Sequence, residues 1–249
     1  VQHSDFGQDV PGFGTIRFTD RDVILTRADV QSMPSPLVCP APAPSGVRGV
    51  AASGCHYSTL IAVPPPLDIQ VLRGYVGVDV TVKSVAYRVV TTHLEVMFPD
   101  PTNPLSMGIQ AAQATELLQV LAFQQPPGTR TIVVGDFNSS PDDAEAWAQG
   151  ALPIVPPYAQ FTTGITLSGP VPPYADAWDL RPGHRPGFTC CHDEDLSIRK
   201  VPHQERIDMI FSLEVPEKAK ASVLGDKPSD RIGGLWPSDH CSVEAELRF

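Results

Sequence analysis

The chain has 249 residues, 42% of them hydrophobic, with a formal net charge of -10 and a sequence pI near 5.0. This length and apolar content predict a globular protein with a substantial core and argue against disorder. The acidic balance disfavours broad adhesion to nucleic acid or to anionic membranes, and no apolar run approaches the ~18 residues of a membrane span.

In chain order, residues 1–30 lack the basic and apolar regions of a signal peptide, which leaves secretion and cytoplasmic residence both open. The stretch TIRFTDRDVILTR (15–27) reads as one or two strands. Proline is abundant at 27 residues, about twice the usual share. It clusters in 33–44, 63–67, 152–158 and 169–174, which read as loops because proline removes a ladder donor. Cys39 and Cys55 flank the first of these loops, which has few apolar residues to hold itself. A disulfide between them is expected if the compartment is oxidising. RGYVGVDVTV (73–82) alternates, with Val76, Val78, Val80 and Val82 on one face, and KSVAYRVVTTHLEV (83–96) follows at hairpin distance.

Residues 106–123 form the clearest helix, with Ser106 as a candidate cap and Met107, Ala111, Ala114, Leu117, Leu118 and Leu121 as its apolar stripe. A buried strand follows at 130–138, then a short helix over 141–150 with Pro141 in its first turn and Gly150 beyond its end. Residues 205–212 and 241–249 read as two more strands. Many strands with few helices predict stacked sheets covered by helices. Adjacent Cys190 and Cys191 face opposite sides of an extended chain. Cys241 reads as a small buried hydrophobe, and the absence of a CxxC pair argues against a structural zinc site.

Four strand ends carry polar groups that packing does not require. TTHLEV holds His93 with Glu95 on the same face. GDFN holds Asp136 and Asn138, which alternation places together, although Gly, Asp, Asn and Ser are also ordinary turn residues. RIDMIF holds Asp208 beside Arg206, where a surface ion pair is the simpler reading. SDH holds Asp239 and His240 before the last strand. Between them, residues 180–206 mix Arg181, Arg185, Arg199, Lys200, Arg206, His184, His192 and His203 with Asp193, Glu194, Asp195 and Glu205. That loop is either a phosphate clamp or a solvated surface of mixed charge.

The four motifs, in this order and spacing, resemble the endonuclease/exonuclease/phosphatase superfamily of metal-dependent phosphoesterases. That family includes abasic-site endonucleases, deoxyribonucleases, inositol polyphosphate phosphatases and neutral sphingomyelinases. The resemblance runs from about Arg73 to the C-terminus. It implies an α+β fold, a four-layer α/β/β/α sandwich of two mostly antiparallel sheets with outer helices. It also implies Mg²⁺ or Mn²⁺ held by Asp239 and Asp136, and catalysis by His93, Asp136, Asn138, Asp208 and His240. In that scheme Asp136 and Asn138 orient water, His240 donates to a phosphoryl oxygen, Asp208 holds its other nitrogen, and His93 is a second donor on the phosphate side. The expected substrate is a small-molecule or lipid phosphoester. A nuclease is disfavoured by charge, a sphingomyelinase would want an exposed aromatic hairpin, and a binding module that lost catalysis is the alternative from another class. Family members also carry an upstream Asn and a metal-ligating Glu. Here the first Glu is Glu95 and the first Asn is Asn103. The single domain is therefore expected to be N-terminally incomplete, with an unpaired strand edge near Asp136 and Asp239, weak metal binding, and Glu95 as first candidate for a substitute ligand.

Overall fold

A computed structural model describes residues 2–10, 14–40, 54–63, 69–96, 104–183, 185–193, 195–198 and 203–249. Its elements, in chain order, are β1 (Gln2–Val10), β2 (Gly14–Arg21), β3 (Gln31–Pro34), β4 (Gly54–His56), β5 (Ile61–Val63), β6 (Ile69–Val71), β7 (Gly74–Val82), β8 (Val85–His93), α1 (Leu105–Phe123), β9 (Arg130–Asp136), α2 (Pro141–Ala148), α3 (Pro157–Thr163), β10 (Ile165–Thr166), β11 (Gly169–Pro170), β12 (Ala175–Asp176), β13 (Asp208–Ser212), β14 (Lys218–Leu224) and β15 (Ser242–Arg248). The result is a mixed α/β fold with one large sheet and few helices.

That sheet has seven strands in the order β12-β13-β9-β8-β7-β3, with β4 also on β7. All its pairings are antiparallel except β8 with β9. A parallel pair needs a crossover, and α1 supplies it between those two strands. β7 and β8 join through Lys83 and Ser84, both at positive φ, as a tight two-residue hairpin turn requires.

One face of the sheet carries the core. Tyr75, Val90, Val133, Met209 and Phe211 pack there against Ala114, Leu117, Leu118 and Leu121 of α1 and Tyr158 and Phe161 of α3. The other face carries Val78, Val89, Val134 and Ile210, which are only half-buried. The alternating valines of β7 therefore lie on the face away from α1, and it is Tyr75 that enters the core. A separate antiparallel pair, β14–β15, lies near β13. Among the described residues β15 is hydrogen-bonded along one edge only.

The helix over 106–123 starts one residue early, with Pro104 at its N-cap, so Ser106 falls inside the first turn rather than capping it. Its buried surface also includes Gln110, Gln113 and Thr115. The helix over 141–150 ends at Ala148, and Ser140 and Asp143 close a capping box at its start. Cys39 and Cys55 are disulfide-bonded, with Cα atoms 5.3 Å apart. Cys190 and Cys191 depart from expectation: the peptide bond between them is cis and their sulfurs are bonded to each other. No helix among the described residues is long and apolar enough to cross a membrane.

Candidate active site

Three strand ends meet on the half-buried face. His93 closes β8, Asp136 closes β9 and Asp208 opens β13. Register pairs His93 with Asp136 and Asp136 with Asp208. His240 arrives from the segment before β15, and its Nδ1 lies 2.9 Å from Asp208 Oδ2. Asp136, Asp208 and His240 line a cleft of about 400 Å³ with Val134, Ile210 and Val243. One donor atom from each of the three polar residues lies within 4.8 Å of the others.

The electrostatics divide these groups. The hydrogen bond from Asp208, opposed by burial and helped by the charges of Asp208, Asp136 and Asp239, raises the His240 imidazole to about 9. It is therefore a cation at neutral pH, and it donates Nδ1–H to Asp208. Burial and then the Asp208 charge push Asp136 up to about 7, against the Asn138 N–H that favours its charged form. Burial and the Arg73 charge push His93 down to about 4. Arg73 Nη1 lies 2.7 Å from His93 Nδ1. Arginine only donates, so His93 accepts there and carries its proton on Nε2, which lies 3.3 Å from Asp136 Oδ2. The proton of His93 is thus directed at Asp136.

Asn138 lies in a turn beyond the strand rather than on its alternating face. The strand stops at Asp136, and Asn138 sits at φ 46 in the left-handed region that Asn tolerates. Its N–H donates to Asp136 Oδ1 at 2.8 Å, and its carboxamide donates to the Leu94 carbonyl at 2.9 Å. The turn reading applies here, and it fixes the Asp136 carboxylate. Buried Gln110, missed in the sequence, donates to the carbonyls of Glu95 and Asn138 and so ties the ends of β8 and β9 together.

Asp239 is exposed and accepts from Ser238 Oγ at 3.2 Å; it stands beside the cluster, outside the cleft lining. Glu95 is buried, with Oε1 3.0 Å from the Val96 N–H and 3.7 Å from Arg73 Nη2, so it belongs to the Arg73 network. Arg206 is not a surface partner of Asp208. It is buried against Asp176, Asp179 and Tyr158, away from the cluster. Arg181 stacks on Trp178 with its guanidinium 3.9 Å from the ring. His192 and His203 pair with each other. His184, Glu194, Arg199 and Lys200 lie outside the described residues.

Hard oxygen donors suit Mg²⁺ or Mn²⁺. Asp136 and Asp208 are paired carboxylates, a like-charge arrangement that a cation relieves, and Asp239 stands beside them. The residues present fit such an ion.

No curated protein matches the sequence. Among solved structures, truncated Caenorhabditis elegans TDP2 is similar, with 15% identity over 99% of this chain and 75% of that chain at a TM-score of 0.49. A Bacteroides thetaiotaomicron mannosyl-6-phosphatase shares 16% identity over 76% of this chain and 59% of its own, at 0.48. A Leptotrichia buccalis endonuclease/exonuclease/phosphatase family protein shares 17% over 72% and 55%, at 0.45. Residues 42–240 match the sequence model of the Endonuclease/Exonuclease/phosphatase family, and the chain belongs to that family.

Proposed function

We propose that the protein hydrolyses phosphoesters by attack of an activated water, with a divalent ion, Mg²⁺ or Mn²⁺, held by Asp239 and Asp136. The observation that carries this reading is the cluster of Asp136, Asp208 and His240, in which an imidazolium and a carboxylate near neutrality face one cleft. The ion supplies positive charge against the phosphoryl oxygens. Asp136, held by the Asn138 N–H and the His93 Nε2–H, orients the water and takes its proton. His240 donates Nε2–H to a non-bridging oxygen as charge builds there. Asp208 is a positioning residue that fixes the His240 tautomer and charge.

The half-buried second face and the single paired edge of β15 favour the four-layer sandwich, in which further strands cover that face. The net charge of -10 favours a small or lipid phosphoester over nucleic acid.

The test is turnover of bis-nitrophenyl phosphate with and without millimolar Mn²⁺ or Mg²⁺. Weak, metal-dependent hydrolysis, reduced 100-fold or more in His240→Ala, is expected, the scale of losing a transition-state donor. Hydrolysis indifferent to chelator, or intact in His240→Ala, overturns the reading. A panel of single-stranded DNA, phospholipid and inositol phosphates then separates the substrate classes.

A further inference from the structure

Beside the cleft, which Cys241 also lines, three soft donors meet that hydrolysis does not use. His192 and His203 come from the long loop before β13, and Cys241 follows His240 directly. One donor atom from each lies within 4.8 Å of the others. The sulfur of Cys241 is 3.7 Å from His192 Nε2 and 3.6 Å from His203 Nδ1. The sulfur–nitrogen edge of a tetrahedral zinc site is about 3.6 Å, given bonds of about 2.3 and 2.0–2.1 Å. His203 Nε2 lies 3.1 Å from His192 Nδ1.

Other groups brace the cluster. Trp236 stacks on the His192 ring with centroids 3.9 Å apart and planes 11° apart. The Gly225 carbonyl, which only accepts, lies 3.2 Å from His192 Nε2, so without an ion that nitrogen carries the proton, which metal binding would release. Cys241 and His192 are 2% and 6% exposed, so the donors are already withdrawn from bulk water.

We propose that His192, His203 and Cys241 form a binding site for a soft divalent ion of the Zn²⁺ class, separate from the hydrolytic centre. Thiolate and imidazole select such an ion over Mg²⁺. The fourth tetrahedral position is left to water. The His192 N–H donates to the Asp239 carbonyl at 2.6 Å, and the Cys241 N–H donates to the Thr189 carbonyl at 2.8 Å. An ion here staples the 189–203 loop to the backbone that carries Asp239 and His240. The absence of a CxxC pair gave no hint of this, because the ligands come from positions 38 and 49 residues before Cys241.

The competing arrangement is a chain of hydrogen bonds from Cys241 through His203 to His192, with no ion. Metal analysis and Co²⁺ titration of the whole chain decide between them, and neither depends on turnover. The expected result is one equivalent of Zn²⁺ or Co²⁺ bound with micromolar or tighter affinity and a thiolate-to-cobalt band in the near ultraviolet. That band is lost in Cys241→Ser. Affinity falls tenfold or more in His203→Gln, and both properties survive in the Asp136→Asn/Asp239→Asn double variant. X-ray absorption of the zinc-loaded wild type, which needs no variant, should show one sulfur with nitrogen or oxygen neighbours. No binding below 100-fold the micromolar range, a cobalt spectrum without the thiolate band, or a band that survives Cys241→Ser and disappears in Cys191→Ser overturns the proposal.

Discussion

Replacing Asp208 with Asn removes the group that does most to keep His240 charged. His240 stands at about 9, with the Asp208 hydrogen bond as the largest cause. Burial acts the other way, so the variant imidazole is expected near its ordinary 6.5. At pH 8 the charged fraction then falls from about 90% to about 3%, roughly 30-fold, while at pH 6 about three-quarters remains charged. The defect in turnover is therefore steep at pH 8 and slight at pH 6. Stability follows the same sign. The folded value lies above the unfolded one, so the stabilisation is full below 6.5 and is lost as pH rises through about 9. Raising an imidazole from 6.5 to about 9 corresponds to at most about 3.4 kcal/mol. The His240 side chain is 25% exposed, and solvent screening reduces this to about 1–2 kcal/mol at pH 6. Carbon-detected NMR titration of the His240 ring reads the shift without any activity. A ring that still titrates near 9 in Asp208→Asn, or a rate defect that does not change between pH 6 and 8, would refute the assignment.

Arg206→Met leaves Asp176, itself buried, without its cation, and should cost about 3–5 kcal/mol in urea unfolding; a cost under 1 kcal/mol would mean the pair is not buried as described. Gly135 has φ +142, and a Cβ there meets the Thr92 carbonyl oxygen. Gly135→Ala should therefore force β9 from β8 and lower stability by more than about 3 kcal/mol, and a near-normal melting temperature would contradict this. The Cys39→Ser/Cys55→Ser pair opens a loop of 16 residues' separation, and a loss of about 3 kcal/mol is expected by calorimetry or denaturant titration, with an unchanged midpoint counting against the bridge.

The residues of the candidate site were legible because they interrupt patterns. His93, Asp136 and Asp208 each break an apolar strand where packing wanted none, and their order matched one family. What alternation alone could not say was which face of a sheet meets the helices. The valines of β7 alternate as cleanly on the open face as core residues would, and Tyr75 took the core instead. Asn138 was misplaced for a local reason: Asp136 caps its own turn, so strand periodicity stops one residue too early for the pair to share a face. Arg206 looked like a neighbour of Asp208 because positions i and i+2 share a face along a strand, but β13 begins only at Asp208 and Arg206 precedes it. Its true partners, Asp176 and Asp179, lie 30 and 27 residues away. The His192–His203–Cys241 cluster has no sequence signal, since only the fold brings its two segments together.

The site depends on a single line of register across the sheet. Gly74, His93, Asp136 and Asp208 occupy directly paired positions on β7, β8, β9 and β13. β8 and β9 are parallel, so their C-terminal ends reach the same edge, and antiparallel β13 begins there. A slip of one residue in any of these strands would turn its polar group to the helix-packed face. This line also sets two carboxylates opposite each other, which sheets ordinarily avoid. The repulsion is visible in Asp136, raised to about 7 by burial and then by Asp208. His240 offsets it from outside the sheet, and the turn at Asn138 and the His93 Nε2–H hold Asp136 despite it. A conflict kept at one point of an otherwise consistent sheet, with three separate elements arranged to contain it, is what supports the proposed site there.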